Sequence, residues 1–245
     1  MEELNEKITE VKPLPANGRN EEKKENKVMP VIALRGKALF PNTFLNFDAG
    51  RPISLAAVEA APAYGNLLFI AAQKNAVIDA PVKSDILEIG AIARIKQVAR
   101  INGGVMKVGV EAIARARIVK FVPAEGYFAA EVEEAPYIDS GDEILTEAYF
   151  RVARDAFLEY ALFDNRIRKD AVATITAIDE PNRFIDGAMS VATLKDADVQ
   201  GILLEDNTVE RLKAFDNLFR RETEIAKIET SRSSSVQWEP TIMPS

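Results

Sequence analysis

The 245-residue sequence has no cysteine, no histidine and a single tryptophan. Without cysteine there is no disulfide framework and no thiol chemistry. Without histidine as well, the Ser-His-Asp and Cys-His arrangements that activate nucleophiles cannot be assembled, and ordinary zinc sites lose their preferred ligands. An active site would have to be built from carboxylates, lysine, serine or tyrosine. No G-x-x-x-x-G-K-[ST] segment occurs, so a phosphate-cradling P-loop is excluded. No apolar run approaches the ~20 residues that span a bilayer. The acidic start, MEELNEKITE, lacks the apolar stretch of a secretory signal. Positive charge is scarce: 31 Lys and Arg stand against 38 Asp and Glu, a net of −7. No basic stripe interleaved with aromatics appears, which opposes a nucleic-acid surface. These absences predict a chain without catalysis, cofactor or metal, outside the membrane, in a reducing cytoplasm.

What is present divides into four stretches. Residues 1–27 mix Glu and Lys with no apolar period and read as a disordered arm. Residues 28–136 read as mostly β. Leu67 to Ala72 is a continuous apolar run, suited to a strand buried on both faces. After Gly90, Ala91, Ala93 and Ile95 alternate with Arg94, Lys96 and Arg100, and Asn102-Gly103-Gly104 supplies a tight hairpin. Met106, Val108 and Val110 form the returning strand, Ile118 to Val122 another, and Tyr127 to Val132 a last one. One helix interrupts them, opened by Pro52 and stopped by Pro62 and Gly65.

Residues 137–230 read as a helical bundle. Ser140-x-x-Glu143 has capping-box spacing, followed by Ile144, Leu145, Ala148, Tyr149, Val152, Ala156 and Tyr160 at helical intervals. Further helices fit Lys169 to Ile178, the stretch opened by Asp179-Glu180-Pro181, and Asp198 to Leu204. The longest is capped by Asn207-x-x-Glu210 and runs to about Glu229. The tail, 231–245, has three consecutive serines and two prolines and reads as disordered. Its abrupt change leaves three origins open: a natural short form, a shift of frame, or a cut.

The stretch VMPVIALRGKALFPNTFLNFDAGRP carries a resemblance. Met29-Pro30, Ala33-Leu34-Arg35, Leu39-Phe40-Pro41 and Gly50-Arg51 with Ser54 resemble the opening of the amino-terminal domain of Lon-type ATP-dependent proteases. Gln73-Lys74, Gly90 to Ile95, Gly103 to Val108 and Val110 to Ile118 resemble later segments of that domain in order, and Asp179-Glu180-Pro181 resembles its I-x-D-P helix entry. Ala112 stands where the family has Gly, and Gly104 where it has Thr. The resemblance implies an α+β fold: a small PUA-like β-barrel domain followed by an α-helical bundle with a long terminal helix. It implies a non-catalytic substrate-recognition and assembly module of such a protease. The motor and the Ser-Lys dyad of that family have no counterpart here. A second reading is a free-standing Lon-like adaptor or regulator that binds a protein or small ligand. RNA binding is suggested only by analogy with the PUA-like fold.

The expected partners are unfolded or damaged protein clients, with self-association as an assembly role. A receptor for an unfolded client needs an accessible apolar patch, a groove or an unpaired strand edge. Arg35, Phe40, Pro41 and Phe44 are the candidate partner-binding residues, together with the groove between the two halves. Folding back of the loop, so that its rings plug the barrel end, is the alternative for Phe40 and Phe44, and a surface ion pair is the alternative for Arg35. Phe215, Leu218, Phe219 and Ile225 form a candidate oligomer seam, with packing onto preceding helices as the alternative. Glu131, Glu133 and Glu134 read as a solvated strand end rather than a metal cluster. Asp139, Asp142 and Glu143 read as helix caps rather than calcium ligands. Trp238 in the tail is either a docking residue or exposed without a role.

Overall fold

A computed structural model describes residues 26–101 and 103–235 of the chain, with side chains described through residue 229. Asn102 of the expected hairpin, Trp238 and most of the arm and tail lie outside the described residues. The strands are β1 (Lys27–Leu34), β2 (Phe44–Ala49), β3 (Leu67–Ala72), β4 (Ile89–Ile101), β5 (Val105–Val122) and β6 (Phe128–Glu134). The helices are α1 (Pro52–Ala60), α2 (Glu143–Phe163), α3 (Lys169–Thr176), α4 (Pro181–Val191), α5 (Asp196–Leu204) and α6 (Thr208–Ser235). The chain is thus α+β, with the strands ahead of five of the six helices.

The strands pair in the order β2-β5-β4-β3-β1-β6, and β6 pairs back onto β5. β1 lies parallel to β3 and antiparallel to β6. Alternation along a strand sends successive side chains to opposite faces, and here both faces are covered. Ile32, Leu34, Leu68, Ile70, Ala91 and Ala93 fill one apolar cluster together with α1. Met29, Val31, Ala33, Phe69, Ala71 and Ile92 fill a second on the other face. Double burial explains why β1 and β3 read as unbroken apolar runs. Gly90 sits where no side chain fits: a Cβ there would lie 2.3 Å from the Ile70 carbonyl oxygen.

β5 departs from expectation, because the segments read as two strands are one. Its first half pairs with β2 and its second with β6. Register shifts mark the change: Ile92 faces Ala114 while Ala93 faces Ala112, leaving Ile113 as the extra residue. A bulge reverses which face each parity serves. Accordingly Met106, Val108, Val110 and Ala112 enter the first cluster, whereas Ala116 and Ile118 enter the second. Ile113 and Val119, the extra β5 residues at two of the shifts, are exposed.

In the helical half, α2 and α6 run side by side in the same direction. Lys213 lies 5.0 Å from the Tyr149 ring and Lys227 5.7 Å from the Phe163 ring. Between them Phe150, Phe157, Phe184, Phe215 and Phe219 make a chain of edge-to-face and stacked contacts at 4.2–5.8 Å. Three cap details are clear. Asn207 accepts from the Val209 and Glu210 amides, as the sequence indicates, and within the expected Asp179-Glu180-Pro181 entry it is Glu180 that accepts, from the Asn182 and Arg183 amides. The cap of α2 is Asp142, which accepts from the Leu145 amide, and not Ser140. α6 runs past Glu229, so residues 231–235 are helix rather than the start of the tail.

The halves are stapled together. The Phe40 ring, from the loop between β1 and β2, is buried in the helical cluster, with Ala38 and Ile89 packed against it. The linker before α2 pairs with the start of α6 through Ile138 N–H to Asp206 O, 2.8 Å, and Thr208 N–H to Ile138 O, 2.9 Å.

Candidate functional site

The structure separates the residues singled out in the sequence. Phe40 and Pro41 are buried; the Phe40 ring belongs to the helical core rather than to a barrel end, and Pro41 lies at the junction of the halves. Phe44 alone stays outside, 70% exposed on β2. Phe215, Leu218 and Phe219 are interior to the bundle, which removes them from any seam between molecules. Ile225 is partly exposed, next to the more exposed Ile228. Glu131 is paired with Lys120 and Glu133 with Arg117; hydrogen bonds from Lys120 and Asn26 hold the Glu131 carboxyl below its ordinary range. Among the described residues no group of acidic side chains is arranged to hold a metal. Arg35 pairs with Asp79.

The expected groove between the halves is a pocket of about 320 Å³ lined by Pro41, Ile113, Arg115, Tyr137, Asn182 and Asp186. Its polar groups satisfy one another. Arg115, buried, donates to the Leu203, Leu204 and Ala135 carbonyls at 2.8–3.2 Å and pairs with Asp206. Arg211, fully buried, donates to Asp186 at 2.6 Å and to the Ile202 and Asn182 carbonyls. Both guanidinium groups lie over the Tyr137 ring, Arg115 at 4.9 Å and Arg211 at 3.8 Å, and the Tyr137 hydroxyl donates to Asp186. Burial pushes the Asp186 carboxyl up to about 6, against the pull of Arg211 and Tyr137. Burial also raises the Tyr137 hydroxyl. This arrangement joins the halves and leaves little free hydrogen-bonding capacity.

A larger cavity, about 850 Å³, opens on the β half between the end of β1 and β2. Among the described residues β2 pairs only with β5, and β1 pairs with β6 only as far as Val31, so the walls include two strand edges. Arg51, at the entry to α1, covers one of them by donating to the Ala33 carbonyl at 2.5 Å. Its other nitrogen donates to Gln73 Oε1 at 2.8 Å. Gln73, fully buried, in turn donates to the Ile78 carbonyl at 2.9 Å and so fixes the loop that carries Asp79. The lining holds four cationic side chains, Arg35, Lys37, Arg51 and Lys107, and two anionic ones, Asp48 and Asp79. Burial, and then the like charge of Arg35, lowers the Arg51 guanidinium from its ordinary value, with Asp79 opposing. Sequence reasoning reached Arg35 but gave no role to Arg51, Gln73 or Arg115, although all three lie in the segments that carry the family resemblance.

Residues 28–218 match the family model described as the ATP-dependent protease La (LON) substrate-binding domain. The chain belongs to the Lon substrate-binding domain family. Lon protease of Clostridioides difficile (strain 630) is 37% identical over 205 residues, 82% of this chain and 26% of that protein. Lon protease 1 of Bacillus subtilis (strain 168) is 32% identical over 201 residues, again 82% and 26%. This Lon domain therefore spans about a quarter of the length of the relatives it matches. Its fold is similar to the N terminal domain of Mycobacterium avium complex Lon protease, with a TM-score of 0.63 at 24% identity, covering 79% of this chain and 98% of that one. Among the described residues no helix of the Lon domain is long and apolar enough to cross a membrane.

Proposed function

We propose that this chain is a non-catalytic module that recognises unfolded or damaged protein segments on behalf of a Lon-type ATP-dependent protease in the cytoplasm. The observation that carries the reading is the match of residues 28–218 to a domain described by substrate binding. The geometry supports it. A groove walled by strand edges suits an extended segment, which brings free backbone groups as well as side chains. The β half is read as a small PUA-like barrel, supported by strand pairings that close on themselves through β5 and β6. The net charge of −7 speaks against a nucleic-acid partner. Assembly contacts on α6 would draw on Ile225 and Ile228. One copy of such a groove binds weakly, and several copies bind usefully through avidity.

Photo-cross-linking of the purified chain to a denatured model protein tests this. The expected result is capture of the denatured but not the native form, with labels concentrated on β1, β2 and the loop carrying Asp79. No capture, or labels scattered evenly over both halves, would overturn it. ATPase and peptidase assays on the same preparation should read background.

A further inference from the structure

We propose that the groove between β1 and β2 is a carboxylate-recognition site, so that the client segments it takes are extended and acidic. This rests on the substrate-binding reading above and adds the chemistry of the segment. The chain is acidic overall, yet this cavity has four cationic groups against two anionic. Among the described residues Lys37 and Lys107 form no ion pair, although Asp48 stands opposite Lys107 in the strand register. Arg35 and Arg51 both donate to the Asp79 carbonyl, and the charge of Arg35 adds to burial in lowering the Arg51 guanidinium. Two guanidinium groups held together present a fork suited to a planar carboxylate.

A carboxylate from the chain itself already engages one arm of this fork, Arg35. Arg35 pairs with the Asp79 side chain, and both arginines reach the Asp79 carbonyl at 3.4 Å. That side chain is 90% exposed on a loop at the rim, an arrangement an incoming anion can replace. Exposed ion pairs contribute little, so exchanging Asp79 for a client carboxylate costs little. Arg51 is fixed beneath by Ala33 and Gln73, which presets the cationic floor. Phe47 is the sole aromatic ring in the lining, which offers little base stacking to a nucleic acid.

The test uses the full chain and two labelled extended peptides, one with a Glu-Ser-Glu-Ser-Glu run and one with Gln at the same places, followed by fluorescence anisotropy. The Glu peptide is expected to bind about tenfold tighter, with an affinity that falls as salt rises. Asp79→Asn removes the resident negative charge beside Arg35 and should tighten the Glu peptide about threefold, a gain that misfolding cannot imitate. The Arg35→Gln, Lys37→Gln double variant should lose most of the preference, with an unchanged melting curve as the control for folding. Equal binding of the two peptides, or no effect of Asp79→Asn, would overturn the carboxylate assignment. If the denatured model protein is still captured in that case, the module reading survives; if capture fails too, both fall. Preference for a uridine oligonucleotide over the Glu peptide would also overturn the assignment.

Discussion

Arg211 and Asp186 are the most exacting pair in the molecule, because both are buried and each compensates the other's desolvation. Removing one partner strands a charge. Arg211→Met alone and Asp186→Leu alone should each cost about 3–5 kcal/mol in urea denaturation, and the double variant should cost less than either. The pair also has a pH signature. Burial places the folded-state carboxyl of Asp186 near 6, above the ordinary aspartate value. The folded state therefore favours the protonated form. That contribution is complete below about pH 4 and is lost as pH rises through about 6. The stability of the wild type minus that of Asp186→Asn should shrink between about pH 5 and pH 7. A difference that grows over that interval would contradict the assignment.

Among the elements, the β1–β2 connection and the strand it enters treat their aromatic residues oppositely: Phe40 in the loop is buried and Phe44 at the start of β2 is exposed. Phe40→Ala should cost about 3–5 kcal/mol in thermal or urea unfolding, as a large ring lost from a packed core does. Phe44→Ala should stay within about 0.5 kcal/mol. Gly90→Ala should cost about 1–3 kcal/mol, since the added methyl meets a carbonyl oxygen of β3 at 2.3 Å. The elements differ in how far the sequence discloses them. β1, β3 and the period of α2 are legible because burial on two faces or one stripe imposes a pattern that composition carries directly. The caps at Glu180 and Asn207 are legible because a side chain satisfies amides only a few residues away. β5 is not. Its bulge at Ile113 reverses the alternation midway, so one strand reads as two. Phe40 and Arg115 are opaque for another reason: their partners lie in the helical half, far along the chain, and no local spacing announces them. Arg35 is visible as the end of a strand, but the groove around it depends on Arg51 and Asp79, which only the fold brings together.

At the scale of the whole molecule, the two stretches recognised in the sequence as separate domains keep their own apolar clusters but interlock. Phe40 enters the helical cluster, Arg115 closes on the end of α5, and the linker pairs with the start of α6. The chain should therefore unfold in one transition, with strand and helix signals coinciding in circular dichroism and fluorescence. A fragment ending at residue 136 should show the exposed apolar surface and broad melting of a loosened state, measured by dye binding and calorimetry. Two well-resolved transitions in the intact chain would refute this coupling.

The placement of Phe40 also constrains anyone who wishes to graft. Exchanging residues 137–235 for the corresponding part of a distant relative would carry over the socket but leave its plug behind. A workable hybrid must take the short β1–β2 connection from the same parent as the helices, so the true seam for recombination is discontinuous along the gene.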